Sequence, residues 1–350
     1  MFKSEEENNN RTELSDLGEF ALIDSISEKV KLQQKSTIKG IGDDAAVLGY
    51  KGMETVISTD MLVEGVHFDL SYVPLKHLGY KAVAVNLSDI LAMNAIPQHI
   101  TVSVALSNRF SKEAVDELYA GILNACTTYE VDLIGGDTTS SVSGLVISIT
   151  AVGAANKEDL VYRDGAKEGN LLVTSGDLGG AYIGLQMLER ENGIFKESEN
   201  IQPDFTGMEY ILERQLKPEP RKDVILELKT MDVKPTSMID ISDGLASEIF
   251  HLCRASKLGI ELYEEKIPID QQTFDIALQN HLDPTVCALS GGEDYELLFS
   301  VDINEHEKFR AHPMFKVIGH FVDEGQGHNL IAKNGTRHEL QAQGWNSFNK

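Results

Sequence analysis

Six short segments of this 350-residue chain place acidic residues at the end of an apolar strand or inside an apolar helix. They are GIGDDAAVL (Asp43, Asp44), VISTD (Asp60), VNLSDILAM (Asp89), LIGGDT (Asp137), MIDISDG (Asp240, Asp243) and LSGGEDYELLF (Glu293, Asp294). A carboxylate in such a setting is costly unless it is paired or bound to metal. None of the six segments contains a Lys or Arg, while Ser58, Thr59 and Ser242 supply neutral oxygens beside the acids. Hard divalent cations take oxygen ligands of this kind, and Mg²⁺ binds through a few carboxylates together with substrate phosphates. Any one such Asp more often caps a helix or closes an Asx-turn. Six segments of one type, all without cations, favour metal ligation. An EF-hand is excluded, because no DxDxDG loop with a Glu at its twelfth position occurs.

Net charge agrees with that pattern. The chain has 31 basic and 55 acidic residues, a formal charge of −24. A field of this sign repels nucleic acid and anionic membrane surfaces, so neither is expected as a partner. A phosphate substrate would need bound cations or a local basic group. Hydrophobic residues make up 42% of the chain, enough for a full core without disulfide or metal staples. Cys126, Cys253 and Cys287 are scattered, with no CxxC or Cys/His cluster, so they are expected to be reduced, buried thiols rather than a zinc site. The start, MFKSEEENNNRTEL, lacks the features of a signal peptide. The most apolar stretch, AVAVNLSDILAMNAI, is interrupted by Asn86, Ser88, Asp89 and Asn94 and does not suit a membrane span. A soluble, cytoplasmic protein is expected.

Periodicity divides the chain into an expected tail and two domains. Residues 1–17 are expected to be disordered. Glu19–Val30, Leu78–Met93 and Lys112–Thr128 have helical spacing. Ala45–Leu48, Thr55–Ser58, His99–Leu106, Asp132–Ile134 and Leu145–Val152 are strand candidates, giving an α/β or α+β domain over 18–155. Leu160–Gly169, polar and Gly-containing, is expected to be a linker, with a second domain over 156–350. There LLVTSG, MIDISDG, Leu297–Val301 and Val317–Phe321 are expected strands, and Ala246–Ala255 an expected helix. Glu189–Gly207 is expected to be a loop or a frayed helix end.

Other phosphate and nucleophile motifs are absent or doubtful. No GxxxxGK[ST] occurs, which argues against a P-loop enzyme. Residues 40–45 fit GxGxxA, but Asp43 and Asp44 would repel a pyrophosphate resting on bare amides. Gly176-Asp-Leu-Gly179-Gly180, before a helix, could hold a phosphate or simply make a tight turn. No GxSxG exists. His67, near the Asp60 segment, is either a structural His or a substrate contact. Phosphoryl transfer tolerates the lack of a nucleophile, since positioning and metal charge can suffice.

Taken together, GEFALI, GIGDDAAVL, STDMLVEGVHF, YKAVAVNLSDILAM, LIGGDTT, RDGAKEGN, KPEPR, MIDISDGL and SGGEDYEL resemble the thiamine-monophosphate kinase family, in order, from about residue 18 to 321. GEF, VEGVHF and SGGEDYEL are specific to it. The resemblance implies the aminoimidazole-ribonucleotide synthetase-like fold: an N-terminal α/β domain that pairs in a homodimer, and a C-terminal α+β domain. It implies Mg²⁺-dependent in-line transfer from ATP to thiamine monophosphate, with several Mg²⁺ ions. It also implies Asp44, Ser58, Thr59, Asp60, Asp89, Asp137, Asp240 and Asp243 as metal ligands, and Gly136, Asp137, Arg163 and Ser242 as ATP contacts. Asp89, Asp137, Arg163 and Asp243 would act in catalysis. His67, Glu293 and Trp345 would contact thiamine monophosphate, Trp345 by offering its ring to a cationic thiazolium. Asn94 stands where the family has Gly, a change that a left-handed backbone tolerates in Asn. Two other readings were weighed. One is a different ATP-using member of the superfamily, disfavoured by the lack of an N-terminal reactive Cys or a C-terminal Cys. The other is a non-enzymatic regulator, disfavoured because every expected acid is present.

Overall fold

The computed structural model describes residues 37–39, 42–50, 52–197 and 202–342. The expected tail, the helix expected over Glu19–Val30 and Trp345 lie outside the described residues.

The first half is a six-stranded sheet backed by two helices. Its strands are β1 (Thr37–Lys39), β2 (Ala46–Tyr50), β3 (Met53–Val63), β4 (Ile96–Leu106), β5 (Asp132–Ser140) and β6 (Leu145–Ala155), in the order β1-β2-β3-β6-β4-β5. Only β4 and β5 run parallel; the other neighbours are antiparallel. Strict alternation of buried and half-buried residues along β6 shows one face covered. Helices α1 (Leu75–Ala92) and α2 (Lys112–Tyr129) cover that face. Pro74 sets the start of α1, and Asn94, at φ 55°, lies just past its end, in the left-handed conformation expected for it. The helices touch backbone to backbone. A Cβ on Gly79 would meet the Leu118 carbonyl oxygen at 2.0 Å, and one on Gly121 the Lys76 oxygen at 1.9 Å.

The second half is a seven-stranded sheet. Its strands are β7 (Leu171–Ser175), β8 (Ser237–Asp240), β9 (Leu258–Tyr263), β10 (Leu297–Val301), β11 (Phe315–Asp323), β12 (His328–Ile331) and β13 (Arg337–Glu339), ordered β13-β12-β9-β11-β7-β10-β8. Around it lie α3 (Gly180–Glu197), α4 (Glu209–Leu216), α5 (Lys222–Thr230), α6 (Leu245–Ser256), α7 (Gln271–Gln279), α8 (Pro284–Ser290) and α9 (His306–Phe309). Residues of β7, β8 and β10 are buried throughout, so these strands read as apolar runs rather than alternating ones. Leu91 and Ala92 of α1 join the core that Phe299, Phe309 and Phe315 build here, with ring centroids 5.4–6.0 Å apart. No helix of the described residues is long and apolar enough to cross a membrane.

Some elements differ from the sequence expectation. β5 does not end at Ile134 but runs through GGDTT to Ser140, held by parallel pairing with β4 across a bulge. Of the two readings of Glu189–Gly207, the helix end holds at its start, where α3 continues to Glu197. Two short strands, β12 and β13, follow the last expected one. The expected linker is anchored: Leu160 and Val161 are buried, the Val161 amide donates to the Met93 carbonyl at 3.2 Å, and the Met238 amide donates to the Tyr162 carbonyl at 3.0 Å.

The α1–α2 contact yields a stability prediction. Gly121→Ala is expected to cost about 2–3 kcal/mol through overpacking against a backbone oxygen, measurable by urea denaturation. A cost below about 0.5 kcal/mol would show that the helices can part freely.

Candidate active site

Three elements and one loop bring acids together in the cleft between the sheets. The loop before β2 supplies Asp44, α1 supplies Asp89, and the end of β8 supplies Asp240. Each offers a carboxylate oxygen within 4.8 Å of the others. Strand alternation places Ser58 and Asp60 of β3 on the face that α1 covers. The Ser58 hydroxyl donates to Asp89 Oδ2, and the Ser88 hydroxyl donates to Asp240 Oδ2 at 2.6 Å. The Asp60 amide donates to Asn86 Oδ1 at 3.0 Å. Asp89 and Asp240 are thus answered by hydroxyls rather than by cations.

Cations reach Asp43 and Asp44 instead. Arg163, from the connection between the halves, donates through its guanidinium to Asp44 Oδ1. Its Nε lies 3.8 Å from Asp43 Oδ1, and Lys39 Nζ lies 3.3 Å from Asp43 Oδ2. Burial pushes Asp43 and Asp44 up to about 6 despite Arg163. Burial also raises Asp240 to about 6, opposed by the Ser88 hydrogen bond and Arg163. Burial raises Asp89 further above the ordinary range, helped by the Asp60, Asp240 and Asp44 carboxylates. Burial alone would lower Arg163, but Asp44 and Asp43 outweigh it and hold the guanidinium charged. Asp44 Oδ2 is buried and accepts no hydrogen bond from the described residues. An orphaned carboxylate oxygen beside two more carboxylates fits a divalent cation, the species such oxygens prefer.

The two Gly-containing loops that follow are clamped to each other. Glu248, near the start of α6, accepts the Ser242 and Asp243 amides at 3.2 and 2.8 Å. Burial, then Asp243, raises its carboxyl well above the ordinary range. The Glu293 amide donates to the Ser242 carbonyl at 2.6 Å, which fixes SDG against GGED. Glu248 was not picked out from sequence. Its only sequence signal is a Glu in the first turns of an apolar helix directly after SDG.

The acids of SGGEDYEL do have cations, drawn from distant elements. Lys81 Nζ lies 2.9 Å from Glu293 Oε2. Arg214 sits 3.0 Å from Glu296 Oε1 and 3.7 Å from Asp294 Oδ1, and Arg221 of KPEPR also pairs with Glu296. The Gly179 amide donates to Asp294 Oδ2 at 2.8 Å, so the Gly176–Gly180 loop spends that amide on a carboxylate.

Other expected site residues lie elsewhere in the chain. Thr59 points to the opposite face of β3, donating to the Ile149 carbonyl at 3.0 Å. Asp60 aligns with Ile149, Val102 and Gly136 on successive strands. Gly136 and Asp137 are therefore three strands, about 14 Å, from Asp60 on the exposed edge strand. Gly136 is required there, because a Cβ would come within 1.8 Å of the Val102 carbonyl oxygen. His67, in the loop after β3, accepts the Val63 amide at Nδ1 at 3.0 Å, which puts the proton of the neutral ring on Nε2.

Family models match the chain on both sides of this cleft: the AIR synthase related protein N-terminal domain over residues 42–155, and its C-terminal domain over 167–329. A thiamine-monophosphate kinase of Bacillus subtilis is 33% identical over 338 residues, covering 95% of this chain and 100% of that protein. The chain belongs to the thiamine-monophosphate kinase family. A second family member, from Aquifex aeolicus, is 34% identical over 96% of this chain and 99% of its own length. The solved structure of AaThiL complexed with AMPPCP and TMP is similar at a TM-score of 0.80 and 30% identity, covering 97% of this chain and 99% of that one. The mixed α/β architecture with two sheets is that of the family.

The carboxylate group predicts a pH dependence. Asp44 moves from the ordinary 3.8 to about 6 on folding. The folded state therefore binds more protons than the unfolded state between these values, so this contribution to stability falls as pH rises through about 4 to 6. In the presence of a chelator, Asp44→Asn is expected to flatten the decline in unfolding free energy between pH 4 and 7 by roughly 2 kcal/mol. Chemical denaturation at several pH values checks this; an unchanged slope would contradict it.

Proposed function

We propose that this chain transfers the γ-phosphoryl group of ATP in line to thiamine monophosphate, giving thiamine diphosphate and ADP. The observation that carries this reading is the convergence of Asp44, Asp89 and Asp240 beside Arg163, in a chain aligned end to end with thiamine-monophosphate kinases. The complex of AaThiL with AMPPCP and TMP supports the substrate pair.

The substrate's own phosphate oxygen is the nucleophile, so the protein must bring two polyanions together inside a chain of charge −24. Asp44, Asp89 and Asp240 would hold Mg²⁺, with Ser58, Asp60 and Asp243 as further candidate ligands there, while Thr59 and Asp137, which lie away from this cluster, are candidates for separate ions. When bound, Mg²⁺ supplies charge neutralisation of the phosphates. Arg163 is placed to stabilise charge on the transferring group, its guanidinium held charged by Asp43 and Asp44. The Ser242 loop and Gly136 are assigned to ATP, with Asp137. His67 and Glu293 are assigned to thiamine monophosphate.

We also assign this chemistry to two units, residues 18–155 and 156–350, and the working form to a homodimer in the cytoplasm. Support for pairing comes from the sheet of the first half. Met61 and Ile134 on it are 57% and 61% exposed, apolar area that a paired copy would cover.

Purified protein with MgATP and thiamine monophosphate is expected to form thiamine diphosphate in step with ADP, and chelation by EDTA to abolish it. Asp89→Asn is expected to lower kcat by about 10²-fold or more at saturating Mg²⁺. Turnover of the variant near the wild-type rate would exclude Asp89 from the machinery. Absence of diphosphate with wild-type protein would exclude the reaction.

A further inference from the structure

Lys81 stands apart from every other lysine of the described residues. It lies in the middle of α1, its side chain is only 8% exposed, and it is absent from the acid cluster on the same helix. Its Nζ donates to Glu293 Oε2 at 2.9 Å and to the Gln215 carbonyl at 3.0 Å. The Gln215 side chain, also buried, donates from Nε2 to the same Oε2 at 2.8 Å. One oxygen of Glu293 is thus engaged twice. The other, Oε1, has no hydrogen-bond partner among the described residues, and the side chain keeps 31% exposure. The backbone is equally committed: Glu293 and Tyr295, on either side of Asp294, have φ of 59° and 51°, a left-handed conformation costly for L residues.

We propose that Lys81 is a positioning residue for thiamine monophosphate, clamping Glu293 Oε2 so that Oε1 is turned toward the substrate. The proposal rests on the functional reading above, in which Glu293 contacts that substrate. An ion pair with Lys81 removes most of the net charge of Glu293. What remains at Oε1 is an oriented acceptor, suited to an amine donor on the substrate's heterocycle more than to a bare cation. Lys81 also sits two turns from Ser88, whose hydroxyl binds Asp240. Residues seven apart share a helix face. One face of α1 therefore sets both the acceptor for the substrate ring and an acid of the metal cluster. The spacing between them is fixed by about 10 Å of helix rise.

Steady-state kinetics of the full chain test this. Lys81→Met keeps length and volume but removes the charge. It is expected to raise KM for thiamine monophosphate about tenfold while leaving KM for ATP within about twofold. Gln215→Met, which keeps the backbone carbonyl, is expected to move the same KM in the same direction by about threefold. Glu293→Gln should reproduce the Lys81→Met effect, and the double variant should add nothing to Glu293→Gln, because the residues act as one unit. An unmoved KM for thiamine monophosphate in Lys81→Met, or equal rises in both KM values, overturns the assignment. Should Lys81→Met fail to fold, Gln215→Met decides alone, and an unmoved KM there overturns it. Wild-type protein that does not phosphorylate thiamine monophosphate overturns the functional reading and this proposal with it. Wild-type turnover with unmoved variants overturns the role of Lys81 only.

Discussion

From Leu78 onward α1 is enclosed, and a helix so enclosed gains by finding partners for the polar side chains it carries there. Fourteen of its residues are buried, and the apolar ones are spread around its circumference rather than along one stripe. Its polar side chains tie it to three parts of the protein: Lys81 to the GGED loop, Ser88 to the end of β8, and Asn86 and Asp89 to the backbone and the Ser58 hydroxyl of β3. Gly79 lets α2 close against it, and Leu91 and Ala92 extend it into the second core. The two sheets are thereby set in register by one rigid rod. An unmet polar group on a helix so enclosed would cost its full desolvation energy, so each bond constrains where its partner element can lie.

The same helix determines the electrostatics of the cleft. Asp89 cannot retreat from Asp44 and Asp240, because helix, strand end and loop are all packed from behind. Three carboxylates at this separation repel one another, and among the described residues the one cation paired with them is Arg163, on Asp44. The residual negative charge can be answered by protons or by a divalent ion. Asp44 and Asp240 are pushed up to about 6, so at neutral pH they remain mostly ionised and ready to bind. Arg163 comes from the connection between the halves, which is why that segment is anchored rather than loose.

The acids that converge were legible in the sequence, because each follows an apolar segment and has a small or hydroxyl neighbour. Arg163 was legible through its motif. Lys81, Arg214 and Glu248 were not. In YKAVAV, a lysine looks like any exposed helix position, and only tertiary contact with Glu293, more than two hundred residues away, makes it special. β5 shows the same limit: GGDTTS has poor strand propensity, and pairing with β4 overrides it. The short β12 and β13 are half-buried or exposed along their length, so no alternation marks them. Asp137 could be identified as an acid of the expected type, but its distance from Asp60 depends on strand order, which no local pattern encodes.

SGGEDYEL shows how one motif divides its residues between architecture and chemistry. The side chains of Asp294 and Glu296 are 0% and 2% exposed and are tied to Arg214 and Arg221, whereas Glu293 stays partly open. Removing one partner from such a buried network leaves an uncompensated charge, which is far costlier than never having had the pair. Arg221 closes KPEPR, and Glu296 is the last acid of SGGEDYEL, some seventy-five residues on. The two motifs are therefore two sides of one ion-pair network, which Arg214 and Asp223 extend.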